Sequence, residues 1–182
     1  MEELFAPLTE AVLAAGAFKA AVIPVSDIET DASFRELCRA NVCGNYGKNW
    51  TCPPDAGEIC DLMAELRTYR YALVFQTVSA LEDSFDFEGM MEAGNRHNQL
   101  MQSVRGLAQA LPVERVRLLG AGGCRVCPVC AKKTDEPCRH PELAIRSLET
   151  YGVNVSKLAP AAGMKYINGQ NTVTYFGAVL IG

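Results

Sequence analysis

The run Cys124-x2-Cys127-x2-Cys130-x7-Cys138 constrains this chain more than any other feature of it. Cysteines at every third position of one short loop match the spacing with which a chain wraps a single iron–sulfur cube. The cluster presents iron on several corners, and the loop reaches three of them in succession. A structural zinc site more often takes two knuckles, each with its own pair of cysteines. The segment therefore reads first as an iron–sulfur site. Zinc, with His140 replacing one cysteine, and disulfide or unliganded thiols are the alternatives.

Which of these applies depends on redox compartment. Met1-Glu2-Glu3 is acidic, so the apolar stretch from Ala11 to Val25 lacks the basic start of a secretory signal, and Lys19 and Pro24 interrupt it. No uncharged apolar run reaches the about 18 residues of a membrane span. The reading is a cytoplasmic protein with reduced thiols, which favours metal ligation over disulfides. At 182 residues and 49% hydrophobic content the chain can bury a core without staples, so metal sites would serve function before packing. Net charge is −4 with both signs interspersed. No basic stripe points to nucleic acid, and Lys132-Lys133, the one compact basic pair, reads as solvated surface.

Periodicity predicts alternating helices and strands with the cysteines in the connections. Leu4–Ala15 carries one apolar helical face, and Ala20–Val25 is a β-branched run read as a strand. A short helix or turn over Asp31–Leu37 leads to the first cysteine loop. Asp55-Ala-Gly-Glu58 has the form of a capping box, opening a helix to about Arg67. Tyr69–Val78 reads as a central strand. Met90, Ala93, His97, Leu100, Val104, Leu107 and Leu111 mark one face of a long helix. Val113–Leu119 reads as a strand, Pro141–Tyr151 as a helix ended by Gly152, Ser156–Ala162 as a short helix, and Thr172–Ile181 as the last strand. With no linker or repeat, the expectation is a single α/β or α+β domain over residues 1–182. Its mixed sheet of four to five strands would be flanked by helices and two cysteine-rich loops.

Around the second cysteine group, Gly120, Gly122 and Gly123 allow positive φ and close approach of amides to a cluster. A dinucleotide loop is a weak match, because the third glycine is missing. Cys138 lies just before the helix expected at Pro141, whose N-terminus would favour a thiolate. The first group, Cys38-x4-Cys43-x8-Cys52-Pro53-Pro54, is looser. Three cysteines around a glycine- and asparagine-rich loop still suggest a second metal site. Cys60 is either its fourth ligand or a small buried hydrophobe. In the latter case one metal position stays open, as Lewis-acid chemistry requires.

These residues carry a resemblance. The segments Cys43-Gly-Asn-Tyr-Gly-Lys-Asn-Trp-Thr-Cys-Pro-Pro54, Gly123-Cys-x2-Cys-x2-Cys130, Pro137-Cys-Arg-His-Pro-Glu142 and Ser147-Leu-Glu-x2-Gly152-Val resemble, in order and identity, a family of predicted metal-binding proteins, domain of unknown function 2284. The likeness runs from about Cys38 to the final strand. It implies metal binding, with an iron–sulfur cluster expected, and carries no established reaction. The matching positions are Cys38, Cys43, Cys52, Cys124, Cys127, Cys130 and Cys138; Cys60 is not placed by the resemblance and keeps both of its readings.

No Ser/His/Asp set or carboxylate pair stands out. His97 reads as a hydrogen-bonded core histidine, Tyr46 and Trp50 as loop packing, and Lys48 as exposed. The expected cofactor is one or two 4Fe–4S clusters, with zinc as the alternative. The first functional reading is electron transfer or a redox accessory role, with a redox partner protein or a small molecule as partner and neither nucleic acid nor membrane. The alternatives are an iron–sulfur enzyme with an open iron at the first loop, and a zinc-binding or metal-sensing or delivery module.

Overall fold

The computed structural model describes residues 2–182, with side chains from residue 5 onward. Its centre is a five-stranded sheet: β1 (Lys19–Pro24), β2 (Tyr71–Ala80), β3 (Val116–Gly120), β4 (Arg146–Ser147) and β5 (Thr172–Ile181), in the order β1-β2-β5-β3-β4. All neighbours are antiparallel except β3 and β4. The longest ladder joins β2 to β5 over ten pairs, from Tyr71↔Ile181 to Ala80↔Thr172. The architecture is α+β with a mixed sheet, as expected.

Successive strand residues point to opposite faces, so this sheet supports two cores. Leu73, Phe75, Val179 and Ile181 face α1 (Glu2–Ala14) and α4 (Phe87–Gln109), against Phe5, Leu8, Val12, Leu100, Met101 and Val104. Ala72, Val74, Ala178 and Leu180 face the opposite way. They pack on Leu62 and Leu66 of α3 (Ile59–Arg67), on Leu158 of α5 (Val155–Ala161), and on Ile28, Leu148 and Tyr151. Asp86 caps α4 by accepting the Gly89 amide at 2.8 Å. Inward on α4 are Ala93, His97, Leu100, Val104 and Ala108, while Leu107 is exposed. The remaining helix, α2 (Phe34–Arg39), precedes the first cysteine loop and ends one residue after Cys38.

Two expected elements differ. The capping box at Asp55 does not form: α3 begins at Ile59 and has no side-chain cap. Asp55 instead turns to Lys132, 3.1 Å away, so Lys132 is a half-buried bridge between loops and not simply solvated surface. No helix spans 141–151. The Leu148 amide donates to the Gly120 carbonyl at 2.9 Å, and Ser147 Oγ accepts the Thr150 amide at 3.1 Å. These bonds draw the segment onto the edge of β3 as β4, followed by a 3-10 turn over Glu149–Tyr151. Gly152 then closes that turn at φ 70°, where only glycine is unstrained. Without a helix at Pro141, no helix N-terminus stands by Cys138.

Candidate metal centre

The first cysteine group runs from the last turn of α2 into the loop before α3, and the second lies in the loop between β3 and β4. The first, between α2 and α3, folds back on itself. Asn41 accepts the Tyr46 amide at 3.0 Å through its side chain, and Gly47 donates to the Pro53 carbonyl at 2.9 Å. Cys38, Cys43 and Cys52 thereby line a cavity of about 520 Å³. Its walls include Phe34, Leu37, Val42, Tyr46, Gly122, Glu149 and Tyr166. Cys52 is buried, Cys38 half-buried and Cys43 exposed.

Cys124, Cys127, Cys130 and Cys138, each half-buried, line a second and much tighter cavity of about 20 Å³. Asn49, Thr51, Ala131 and His140 complete its walls. The thiols themselves form the lining, so rotation about χ1 sets the room between them.

Cross-loop bonds hold the two cavities side by side. Asn49 Nδ2 donates to the Cys124 carbonyl at 3.1 Å, and the Cys124 amide donates to Thr51 Oγ1 at 3.1 Å. Asn49 Oδ1 in turn accepts from the Thr51 amide at 3.2 Å and hydroxyl at 3.0 Å. A Cβ on Gly123 would lie 3.0 Å from Asn49 Nδ2, so glycine is what lets the loops close. Outside this seam, Trp50 Nε1 donates to the Glu136 carbonyl at 3.0 Å, and Lys132 Nζ sits 4.5 Å from the centre of the Trp50 ring. Arg125, between the first two cysteines of the run, anchors on α4. Its guanidinium occupies the notch where Gly94 lacks a side chain and donates to Asn95 Oδ1 at 3.3 Å.

Burial favours the protonated form of three of these thiols. Burial first, then the neighbouring Cys43, pushes Cys52 up to about 12. Burial also raises Cys38 and Cys124. Opposing this at Cys38 is Arg35, whose buried guanidinium donates to the Gly57 carbonyl at 2.8 Å and the Thr150 carbonyl at 3.3 Å. Metal uptake here must expel protons, since thiolates are the ligands.

Donor chemistry fits a thiophilic metal group at both places. Among the described residues, no three His, Cys, Asp or Glu side chains converge closely enough to hold one ion.

Cys60 is exposed on α3 and lines neither cavity, so it is not the buried hydrophobe that was one of its two readings. His97 lies elsewhere, buried and within 2.9 Å of Thr77 Oγ1 through Nδ1. Lys48 is exposed, and Tyr46 lines the first cavity. Sequence reasoning passed over three residues: Asn49 and Thr51, which stitch the loops, and Glu149. The last lies between Ser147 and Gly152, where nothing in the sequence marks it as lining a cavity. No described helix is long and apolar enough to cross a membrane.

Residues 21–181 match a family described as "Predicted metal-binding protein (DUF2284)". No curated protein and no solved structure matches the chain.

Proposed function

The chain belongs to the DUF2284 family of predicted metal-binding proteins, and on that premise we propose that it is an iron–sulfur redox protein with two metal sites. Cys124, Cys127, Cys130 and Cys138 would hold a 4Fe–4S cluster as a closed four-thiolate set. Cys38, Cys43 and Cys52 would hold the second. The group supplies reversible one-electron chemistry; the chain supplies enclosure, amide donors and a route between sites. The observation that carries this reading is the grouping of four thiols round one tight cavity and three round another, with the Cys124 amide bonded to the residue before Cys52. Cys52 backbone, Thr51 Oγ1 and Cys124 nitrogen form a short path for an electron. The partner would be a cytoplasmic redox protein or a small molecule.

Anaerobic purification tests this reading. We expect a brown protein with iron and acid-labile sulfide and, after reduction, a paramagnetic signal that returns to silence on reoxidation. A colourless protein with stoichiometric zinc, even after reconstitution with iron and sulfide, would overturn it and favour the zinc or metal-delivery alternative, for which His140 stands at the second cavity.

The width of the first cavity favours a second reading, an enzyme whose first site binds a small molecule at an open iron. A change in the reduced spectrum on adding cyanide or a small thiol supports it; an unaltered spectrum returns the protein to simple electron transfer.

A further inference from the structure

We propose that the Glu149 carboxylate is the fourth protein ligand of the first site, giving it three thiolates and one oxygen donor. This rests on the iron–sulfur reading of that site and names the residue that completes it.

Three thiols line the first cavity, and no fourth cysteine lines it, Cys60 being exposed on α3. Among the residues lining the cavity, Glu149 is the one with a carboxylate, and it lies close enough for its charge to act on the Cys38 thiol. Glu149 is exposed and lines the same cavity as the three thiols, so its carboxylate is open to an incoming metal group. Spread around a wide cavity, the three thiolates and this carboxylate would each take a separate iron of one cluster.

Its backbone placement is firm. The turn over Glu149–Tyr151 is fixed by Ser147 Oγ accepting the Thr150 amide, by Thr150 Oγ1 donating to the Thr51 carbonyl at 3.4 Å, and by Arg35 on the Thr150 carbonyl. The same turn thus touches Thr51, next to Cys52, and Arg35, on the helix that carries Cys38. Carboxylate oxygen is a harder donor than thiolate, so it would be the ligand an incoming molecule displaces most readily, leaving as free carboxylate while the iron stays in place. That iron would face the apolar walls of Phe34, Leu37, Val42 and Tyr166, suiting a small, mostly apolar molecule with one iron-binding group.

The test is Mössbauer and paramagnetic resonance spectroscopy of the full-length protein reconstituted anaerobically with iron-57. Wild type should show one iron whose isomer shift departs from its all-thiolate neighbours. Glu149→Gln should lose about one iron per chain and show the oxidised-state signature of a three-iron cluster. Glu149→Cys should restore that iron and make its shift match the others. A wild type with only all-thiolate irons overturns the assignment without needing a folded variant. So does a Glu149→Gln protein that melts earlier but keeps wild-type spectra and iron, because that is the behaviour of a turn cap. A wild type with no iron–sulfur signal at all would sink the parent reading along with this one.

Discussion

Replacing Asn49 by alanine removes one of the two side-chain hydrogen bonds that join Asn49 and Thr51 to Cys124 across the cysteine loops. Asn49 is 5% exposed and takes part in three bonds: to the Cys124 carbonyl, the Thr51 amide and the Thr51 hydroxyl. Each such bond is worth about 1 kcal/mol net, and a buried group left without a partner costs about 1–3 kcal/mol. Thr51 Oγ1 keeps its bond from the Cys124 amide, so only the Cys124 carbonyl and the Thr51 amide are orphaned. Water reaching the half-buried Cys124 limits the first of these penalties. Destabilisation of about 3 kcal/mol follows, and for a chain of this size it lowers Tm by about 6–12 °C. Anaerobic thermal melts followed by circular dichroism measure it. Thr51→Val breaks the same seam, so the double variant should lose clearly less than the two single losses added together. A shift of Asn49→Ala within about 2 °C of wild type, or strict additivity with Thr51→Val, would refute the claim that these bonds couple the loops.

His97 is buried neutral, its pKa pushed down to about 4 chiefly by burial. The unfolded chain takes up that proton near pH 6.5, so the stabilising contribution is complete above 6.5 and falls away as pH drops toward 4, by about 3 kcal/mol in all. In urea titrations across that window His97→Gln should show a flatter pH dependence than wild type; equal slopes would count against a neutral buried imidazole. Cys60 is exposed and away from both cavities, so Cys60→Ser should keep the full iron content, and mass spectrometry of the loaded protein should find Cys60 alkylated first. Loss of iron in that variant would make Cys60 a ligand and remove the need for Glu149.

Much of the scaffold is legible in the sequence because it depends on local periodicity. Thr172–Ile181 alternates faces along an apolar run with the bounds expected, and His97 lies on the inward stripe of α4 where helical spacing puts it. The failures share a cause. Pro141–Tyr151 has a helical start and a glycine stop, yet the Gly120 carbonyl takes the Leu148 amide and the sheet edge wins over local preference. Asp55 has the sequence of a cap but finds Lys132 across the loop boundary. The spacing of the cysteines suffices to group them as three and four. Asn49 and Thr51, whose partners lie more than seventy residues away, carry no comparable local signal. Glu149 belongs with them, since its significance comes from a cavity that only the folded chain encloses.

The position of β5 bears on how such a protein is made. β3 and β4, which carry the second cysteine run between them, join the sheet only through β5, whereas β1 and β2 pair directly. On the ribosome, the thiols of Cys124 to Cys138 emerge well before Thr172–Ile181, the strand that ties them to the rest. Until that strand is released, β3 and β4 have no link to the rest of the sheet, and the run is held only by contacts such as those of Asn49, Thr51 and Arg125. On the proposed function, cluster insertion would be complete only once both loops are in register, and a chain truncated before Thr172 should bind less iron than the full chain.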